Sequence, residues 1–600
     1  MARARVLYFF FPALSIGFSR KIDNPPIPCY IIRTVFRPIN RRLRSVRSSR
    51  VFLLLLFLAV FLLPLGVRPL FSPDETRYAE AAREILESGD WIVPRLNGVC
   101  YFEKPILGYW AFAGSMKIFG LNAFALRLPS ALAMIFCAVF LVLMMRSFRT
   151  GLRESFLSGA VFLSMPMNVM LGGLGILDSM FSLFTTLCIG LFFTAYERVP
   201  GLLRKLLLYA LAGIFAGAAF MVKGFLAFAL PALTVTAYLL WNRRWKEILL
   251  LPWIPLFTAL LFIAPWAWAI HQADPDYWHY FIVVEHWQRF FGGQKAQHAA
   301  SFLYFIPFLF AGTAIWIPFL PAAFIGLRHT IFRSPLLKFA LCWFLIPFLF
   351  LSCSSGKLAS YILPCLPPLA ILIAAGLAEW TRTGKLRALP NWIAAVLAGG
   401  LAIALAAFAV NFFTGFPVQL LMKHEAWMWL LLTVCGIFSV LTLTAILPEK
   451  NTWHKLHWYI LAFLPVILAF QCSLPQYFID RRCPVVTLKS APPVSPGQIL
   501  VAFRYPFQDV CWFYRRSNVL ILASPGEIEY GLRRPDQKHR LLSAEEFNEL
   551  VREKRSDPGV VLVMATDRFL EGREDGSLTE TPSEEIHGPD GDCTSVIYYR

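Results

Sequence analysis

Long apolar runs recur along this chain at a length that matches the thickness of a membrane. The runs are about 18 to 22 residues long, and a helix of roughly 20 apolar residues crosses the hydrocarbon core of a bilayer. Hydrophobic residues make up 57% of the 600-residue sequence and charged residues only 16%. Such a chain is too apolar for a soluble protein. The sequence therefore predicts a polytopic α-helical membrane protein.

About thirteen transmembrane helices are expected from the positions of these runs. The predicted spans lie near residues 51–70, 128–145, 155–171, 179–196, 206–222, 225–241, 248–270, 301–327, 335–351, 361–378, 392–411, 427–447 and 458–474.

Lysine and arginine residues set the predicted orientation. Residues 1–50 are rich in arginine, and every second loop after them is basic, as the positive-inside rule requires of cytoplasmic segments. The formal net charge of +19 therefore reflects membrane topology, and binding to nucleic acid is not indicated. An odd number of spans places the tail after about residue 475 outside. The basic loops lie near residues 146–153, 198–205, 243–246, 328–338, 382–387 and 450–455.

The chain is expected to have three parts. Residues 1–50 form a basic cytoplasmic N-terminal extension, and residues 51–474 form the transmembrane domain. Its first outer loop, residues 71–122, is long and carries two amphipathic patterns that predict helices on the membrane surface. Residues 475–600 form a small α/β domain on the outer face.

This outer domain shows both strand and helix patterns. Strands are predicted at residues 498–503, 511–514, 519–522 and 560–564, and a helix begins with a capping box from Ser543 to Glu546. The domain is expected to cover the entrance for an acceptor. No residue in it has a catalytic signature.

The first outer loop contains the richest group of candidate site residues. A second capping box is predicted from Ser72 to Glu75, which gives Glu75 a structural role. Asp74, Arg77 and Tyr78 follow helical spacing and share one face, so a carboxylate, a guanidinium and a phenol are presented together. For Asp74 we favour a functional role.

Other charged residues interrupt the apolar runs at the same membrane surface. Glu103 and Lys104 open the second surface helix, and Glu103 stands near a helix N-terminus in the plain structural interpretation. Asp178 follows a glycine-rich turn and either caps the fourth span or places its carboxylate at the mouth of the bundle. Lys223 is either an interface anchor or a cation that points into a cavity.

Two later segments add further polar groups. His286 is a possible metal ligand and Arg289 follows one turn later, although an isolated histidine is more often a plain hydrogen-bonding residue. Tyr361 follows the polar loop around Lys357. That loop does not have the spacing of a phosphate-binding P-loop, so use of a nucleotide is not indicated.

Together these residues offer carboxylates that position an acceptor or take a proton, and cations that hold phosphate. Such a mixture suits sugar transfer from a lipid phosphate. The leaving group would be a polyprenyl phosphate, whose growing negative charge a lysine, an arginine or a metal ion stabilises as the glycosidic bond breaks.

Several segments of the chain resemble the protein O-mannosyltransferase-like branch of the C-type glycosyltransferases. Within that branch the likeness is strongest to the bacterial enzymes that move 4-amino-4-deoxy-L-arabinose from undecaprenyl phosphate to lipid A. The resemblance covers roughly residues 50–475, and the outer domain matches only by its placement. The segments that carry it are 74–80, 89–98, 102–105, 127–130, 285–290 and 357–365.

The resemblance implies a role for each candidate residue. Asp74 would be the principal catalytic carboxylate and Asp178 a second acid of the site. Glu103 and His286 match positions that bind a zinc ion near the donor phosphate. The residues that would hold that phosphate are Arg77, Tyr78, Tyr101, Lys104, Lys223, Arg289 and Tyr361.

The resemblance also implies a C-type glycosyltransferase fold, an undecaprenyl phosphate-linked donor and a lipid A acceptor at the periplasmic face of a bacterial inner membrane. Inversion at the anomeric carbon and a contribution to polymyxin resistance are expected with it. A related transferase that uses mannose, galactosamine or another sugar on lipid A, core glycan or protein is the first alternative. A transporter or flippase without chemistry is the second, but transporters usually carry ionisable groups near the midplane and repeated halves.

Overall fold

The computed structural model describes residues 54–288, 299–383, 389–415, 426–447, 449, 451–588 and 594–600. The predicted basic extension, residues 1–50, lies outside these ranges, as does the predicted phosphate ligand Arg289. Residues Leu56–Arg600 form one compact unit. The surface loop, the transmembrane helices and the C-terminal domain therefore belong to a single body.

Residues 54–472 are mostly helical, and every predicted span coincides with one helix or with two consecutive helices. A short helix, Tyr277–His279, continues as a π-helix over Tyr280–Gln288. In chain order the other helices are α1 (Leu54–Gly66), α2 (Asp74–Ser88), α3 (Leu107–Phe119), α4 (Ala123–Ser147), α5 (Leu152–Ser164), α6 (Pro166–Gly172), α7 (Leu177–Arg198), α8 (Leu202–Lys223), α9 (Leu226–Trp241), α10 (Trp245–Leu250), α11 (Trp253–Ala273), α12 (Phe305–Gly312), α13 (Leu320–Leu327), α14 (Pro335–Cys353), α15 (Leu366–Thr383), α16 (Leu389–Thr414), α17 (Ala426–Ala445) and α18 (Thr452–Cys472).

Not all of these helices are long enough to cross a membrane alone. Within the described ranges nine are long and apolar enough, and two bent pairs raise the number to eleven. The bends measure 63° between α5 and α6, and 82° between the segments Phe302–Gly312 and Ala314–Leu327. Helices α1 and α9 occupy the two remaining predicted spans but are shorter. Hydropathy finds apolar segments and cannot show where a helix breaks or ends.

The first outer loop contains the two predicted surface helices, α2 and α3, with a short hairpin between them (β1, Arg95–Leu96; β2, Val99–Cys100). The predicted capping box from Ser72 to Glu75 is wrong, because α2 begins at Asp74 after Pro73 and no side chain caps it. Helix α3 begins at Leu107 and not at Glu103. A proline disfavours helical geometry in the residue before it, and position 105 is a proline.

The C-terminal domain is a small α/β fold, as expected. Its strands are β3 (Ile499–Phe503), β4 (Leu520–Leu522), β5 (Leu541–Leu542), β6 (Val560–Ala565), β7 (Glu584–His587) and β8 (Thr594–Tyr599). The sheet order is β5-β4-β3-β6-β8-β7. The first four strands in this order pair parallel, and β8 pairs antiparallel with both β6 and β7. Its helices are α19 (Gln476–Arg482), α20 (Val485–Ser490), α21 (Phe507–Tyr514), α22 (Glu529–Leu532), α23 (Ala544–Lys554) and α24 (Thr566–Glu574).

Two local predictions in this domain can be checked. The capping box from Ser543 to Glu546 is confirmed, because both reciprocal hydrogen bonds are present at the start of α23. The predicted strand at 511–514 is wrong, because these residues end helix α21. Phe507, Val510 and Cys511 are buried at helical spacing, and a short apolar run does not distinguish the two structures.

The C-terminal domain packs on the first outer loop through a fully buried asparagine. Asn97, in the turn between β1 and β2, donates from Nδ2 to the carbonyl of Val519 at 2.8 Å and accepts from the Val519 N–H at 3.0 Å. The Arg540 guanidinium donates to the same Asn97 oxygen at 2.9 Å. The side-chain amide thus pairs with a backbone as a strand would, and it joins the domain to the loop that carries the candidate site.

Candidate active site

Helix α2 is anchored by a buried carboxylate next to the candidate catalytic residue. Glu75 is 1% exposed, and Arg127 of α4 binds both of its oxygens, with Nε at 2.7 Å and Nη2 at 2.8 Å. Arg68 donates to Glu75 at 2.9 Å, and the Phe71 and Gly175 N–H groups donate at 2.9 and 2.8 Å. This network, rather than a capping box, is the structural role of Glu75.

The charges around Glu75 decide its protonation state. Burial alone would raise the pKa of this carboxyl, but the charge and hydrogen bonds of Arg127, the charge of Arg68 and the N–H group of Gly175 lower it to about 2. The carboxylate is therefore ionised at any physiological pH. A buried ion pair of this kind is costly to break, because the remaining partner keeps its charge away from water.

Asp74, Arg77 and Tyr78 share one face of α2, as predicted. Arg77 forms an ion pair with Asp74, and its guanidinium carbon lies 5.0 Å from the centre of the Tyr78 ring. The side chain of Asp74 is 59% exposed, whereas that of Arg77 is 9% exposed. The face therefore presents an accessible carboxylate beside a guanidinium that is mostly withdrawn from water.

A residue of the C-terminal domain completes this face. Glu527 forms a second ion pair with Arg77, across 450 positions of sequence. Glu527 lies in the segment that follows β4, at the carboxyl end of a parallel strand. The C-terminal domain thus contributes a residue that contacts the candidate site, although its sequence shows no catalytic signature. A turn of ordinary composition, Pro525 to Glu527, carries no local signal for such a role.

Tyr101, Glu103 and Lys104 extend the site on the loop before α3. The Tyr101 hydroxyl donates to Glu103 at 3.2 Å, and Lys104 donates to the Glu103 carbonyl at 2.7 Å and pairs with the Glu285 carboxylate. Burial raises the pKa of Glu103 to about 7, and the negative charges of Glu527 and Glu285 act in the same direction. Two carboxylates from distant parts of the chain thus act on Glu103.

Asp178 and Lys223 form the other half of the site. Asp178 lies in the first turn of α7, where Ile176 and not Asp178 is the N-cap, and it pairs with Lys223 at the end of α8. The Lys223 ammonium lies 4.4 Å from the centre of the Tyr361 ring. Lys223 therefore faces a carboxylate and an aromatic ring.

The two halves are electrostatically connected. The phenol of Tyr78 interacts with the charges of both Asp74 and Asp178, and the His286 ring interacts with those of Lys104 and Glu285. Burial raises the pKa of Tyr78 well above its ordinary range, so the phenol stays protonated and can donate a hydrogen bond. Arg289 lies outside the described residues; the other predicted site residues are brought together at one end of the helices.

His286 is held by the backbone. Its Nδ1 lies 2.7 Å from the Phe281 carbonyl, and the ring also has a backbone hydrogen bond with Lys223. Gly224, at φ +86°, leaves room for the ring, because a Cβ there would stand 2.2 Å from His286 Nε2. Among the described residues no three histidine, cysteine or acidic side chains are grouped to hold a metal. Glu103 and His286 do not belong to a group of this size, and zinc binding by the two residues stays a prediction.

One further residue was missed at the sequence level. Tyr109 on α3 is fully buried with its ring 6.0 Å from that of Tyr78 and 6.4 Å from that of Tyr101. Its hydroxyl has no hydrogen-bond partner among the described residues. In the sequence, a single tyrosine in an apolar surface helix indicates a packing residue. Only the position of Tyr109 in the fold relates it to the site.

Comparison with known proteins identifies relatives of this chain. Residues 48–281 match the family model of the dolichyl-phosphate-mannose-protein mannosyltransferases, and residues 488–588 match that of the C-terminal domain of the arabinosyl transferase ArnT. The undecaprenyl phosphate-alpha-4-amino-4-deoxy-L-arabinose arabinosyl transferase of Shewanella sediminis is 38% identical over 530 residues, 87% of this chain and 95% of that protein. The enzyme of the same name from Aeromonas salmonicida is 35% identical over 551 residues, with 91% and 98% covered.

This chain belongs to the undecaprenyl phosphate-aminoarabinose arabinosyl transferase family. It is a glycosyltransferase, which confirms the class inferred from its motifs. A crystal structure of ArnT from Cupriavidus metallidurans bound to undecaprenyl phosphate has the same fold, with a TM-score of 0.75 at 21% identity over 92% of this chain and 98% of that one. The predicted C-type glycosyltransferase fold is thereby confirmed for this arabinosyl transferase.

The buried Glu75 network predicts acid-sensitive stability. The folded-state pKa of Glu75, about 2, lies below its ordinary value of 4.5, so the carboxylate contributes roughly 3 kcal/mol above that value. This contribution is lost as pH falls from 4.5 towards 2. We expect Glu75→Gln to lower the melting temperature of the detergent-purified protein at pH 7, and the difference from the wild type to shrink as the pH approaches 3. A variant as stable as the wild type at pH 7 would contradict this role.

Proposed function

We propose that this membrane glycosyltransferase moves 4-amino-4-deoxy-L-arabinose from undecaprenyl phosphate to a phosphate of lipid A. The observation that carries the proposal is the pair of Asp74 and Arg77, an exposed carboxylate beside a withdrawn guanidinium, in a chain related over most of its length to transferases named for this donor. The guanidinium suits the donor phosphate, and the carboxylate suits the sugar or the acceptor beside it.

The donor phosphate is expected to replace carboxylates as the partner of the site's cations. Arg77 pairs with Asp74 and Glu527, Lys104 with Glu285, and Lys223 with Asp178. An incoming phosphate carries the same sign of charge as these carboxylates, so the cations keep a partner throughout binding. Tyr78, Tyr101 and Tyr361 would add hydrogen bonds to the phosphate oxygens.

Sugar transfer then proceeds by direct displacement. A phosphate oxygen of the acceptor attacks the anomeric carbon, the bond from that carbon to the donor phosphate oxygen breaks, and its electrons leave with undecaprenyl phosphate. The configuration at the anomeric carbon inverts. Arg77 and Lys104 stabilise the negative charge that grows on the leaving phosphate. An acceptor phosphate is already anionic near neutral pH, so Asp74 positions the acceptor and supports positive charge on the sugar.

The excess of acidic groups favours an amino sugar over a neutral one. Asp74, Asp178, Glu285 and Glu527 outnumber the cations Arg77, Lys104 and Lys223 among the described site residues, and Glu103, whose pKa is raised to about 7, adds a negative charge only when it is ionised. When the donor phosphate takes the cations, carboxylates are released near the sugar. A protonated 4-amino group would restore the charge balance, whereas mannose would leave these carboxylates without a counter-charge.

The reaction would take place at the periplasmic face of the bacterial inner membrane. The basic loops predict that the opposite face is cytoplasmic, and the site is at the end of the helices that the C-terminal domain covers. Attachment of a cationic sugar to a lipid A phosphate lowers the negative charge of that lipid. A less anionic surface attracts cationic peptides such as polymyxin more weakly, which links the activity to resistance.

Purified enzyme incubated with undecaprenyl phosphate-aminoarabinose and lipid A should form aminoarabinose-modified lipid A, and mass spectrometry measures it. Asp74→Asn keeps the size of the side chain and removes its charge, so we expect a loss of at least about 100-fold in rate. Asp90→Asn is the matched control, because Asp90 lies in the same loop and pairs with Arg95 away from the site.

The same assay distinguishes the alternatives. Transfer of mannose or galactosamine, but not aminoarabinose, by the wild-type enzyme would indicate a related transferase with another donor. Translocation of the donor without any modified product would indicate a flippase. Equal activity of wild type and Asp74→Asn would remove Asp74 from the catalytic role.

Removal of the Arg77 charge should weaken donor binding and also slow the chemical step at saturation, because Arg77 both holds the donor phosphate and stabilises the charge that grows on it. A hydrogen bond to a charged group contributes about 1.5 to 3 kcal/mol, so Arg77→Gln should raise the donor KM by roughly ten- to a hundredfold. Initial rates at varied donor concentration measure this effect. Arg95→Gln is the control, since Arg95 pairs with Asp90 outside the site. An unchanged donor KM in Arg77→Gln would contradict phosphate binding by this residue.

A zinc ion held by Glu103 and His286 stays a prediction. His286 would bind a metal through Nε2 and keep the hydrogen bond from Nδ1 to the Phe281 carbonyl, and the further ligands would have to come from the donor or water. The prediction requires zinc in the purified wild-type protein and less zinc in Glu103→Gln and in His286→Ala, as measured by elemental analysis. A zinc-free wild type with full activity would exclude it.

A further inference from the structure

A buried acid of the C-terminal domain contacts the start of helix α2. Asp509, in the first turn of α21, is 1% exposed. Its Oδ2 accepts a hydrogen bond from the Ser72 hydroxyl at 2.6 Å and lies 3.4 Å from the Thr76 hydroxyl. Ser72 and Thr76 stand two residues before and two residues after Asp74. Asp509, more than 430 positions away in sequence, thus contacts residues on both sides of Asp74, the candidate catalytic residue.

This buried contact costs free energy at the domain interface. A carboxyl group withdrawn from water costs free energy unless its hydrogen bonds are replaced, and Asp509 Oδ1 has no partner among the described residues. Burial raises the pKa of Asp509 to about 7, although the hydrogen bonds from Ser72 and Thr76 act in the opposite direction. An apolar side chain would stabilise the interface at a lower cost in free energy. The buried polar contact therefore has a role beyond holding the two segments together.

The first turn of α2 has no cap from its own segment. Pro73 occupies the N-cap position and no side chain of the segment bonds to the free N–H groups. The Ser72 backbone N–H donates to the Arg482 carbonyl at 2.9 Å, so the residues before α2 are held by the chain that leads into the C-terminal domain. Asp74 itself is largely exposed and is held by Arg77 alone in the described ion pairs.

We propose that Asp509 is a positioning residue, which holds the first turn of α2 through Ser72 and Thr76 and thereby sets the direction in which Asp74 points. The inference rests on the proposed transfer reaction, in which Asp74 is the catalytic carboxylate. Asp509 does not touch the substrate. It acts through the hydroxyl of Ser72, and its loss would leave the turn free to shift.

Such a residue should affect the chemical step more than donor binding. Glu75 and Arg127 hold α2 directly after Asp74, and Arg77 is held by Glu527. The phosphate-binding groups therefore keep their places when the contacts of Ser72 and Thr76 with Asp509 are lost, and only the segment that ends at Asp74 is free to shift. A displacement of about 1 Å at a reacting group costs on the order of 100-fold in rate, so a small shift of Asp74 suffices.

A double-mutant cycle tests the proposal. Asp509→Ala and Ser72→Ala should each lower kcat about tenfold or more and leave the donor KM within about twofold of wild type. The double variant should be no slower than Asp509→Ala, because both changes remove the same hydrogen bond. Asp509→Asn keeps a carbonyl oxygen that accepts from Ser72, and it should restore at least half of the wild-type kcat.

A matched control comes from another contact between the C-terminal domain and α2. Arg83 donates to the Ser517 hydroxyl at 2.6 Å, well away from the first turn of the helix. Ser517→Ala should therefore keep the wild-type kcat. Size-exclusion chromatography and binding of undecaprenyl phosphate verify that each variant is folded.

Several results would overturn the proposal. They are a wild-type kcat in Asp509→Ala, multiplied losses in the double variant, an equal loss in Ser517→Ala, and no recovery in a folded Asp509→Asn. If Asp509→Ala does not fold, Ser72→Ala and Asp509→Asn decide alone, because both are milder changes. Absence of aminoarabinose transfer by the wild type overturns the proposed function, which is a different outcome from an active wild type with insensitive variants.

Discussion

Glu75 and Arg127 meet in the interior, where neither is in contact with water, and their ion pair connects the parts of the chain that form the site. Arg127 also donates to the backbone carbonyls of Leu65, Arg68 and Pro69, and Glu75 accepts from the turn before α7. The end of α1, the start of α2, helix α4 and the turn before Asp178 are thereby held at fixed distances. Both halves of the site depend on this arrangement. Asp74 lies beside Glu75 at the start of α2, and Asp178 follows the turn whose Gly175 N–H donates to Glu75.

The candidate site stores its charges as pairs. Arg77, Lys104 and Lys223, the predicted phosphate-holding cations among the described residues, each face a carboxylate. Partial withdrawal from water strengthens such pairs and also makes an unpaired charge expensive. Under the proposed function, the substrate would exchange with these internal carboxylates, and the exchange would select a ligand that brings both an anion and a cation.

Local patterns predicted much of this architecture. Within the described residues, every span predicted from apolar length coincides with helix, and the i, i+3, i+4 spacing placed Asp74, Arg77 and Tyr78 on one face. Both signals depend only on neighbours along the chain. The errors occurred where a contact with a residue distant in sequence determines the local structure. Serine is a common cap residue, but the Ser72 hydroxyl donates a hydrogen bond to Asp509. Glu75 forms an ion pair with Arg127 and does not bond to the helix start. Glu527 could not be found locally, since nothing near it in sequence reports its contact with Arg77.

The order in which the chain is made gives the C-terminal domain a further consequence. Glu527 and Asp509 are translated after every helix described here as long enough to cross a membrane. Helix α2, made among the first segments, therefore stays through nearly the whole of synthesis without Glu527, the second partner of Arg77, and without Asp509, the partner of Ser72. A chain stalled before its C-terminal domain would keep the local pair of Arg77 and Asp74 but would lack both contacts from that domain.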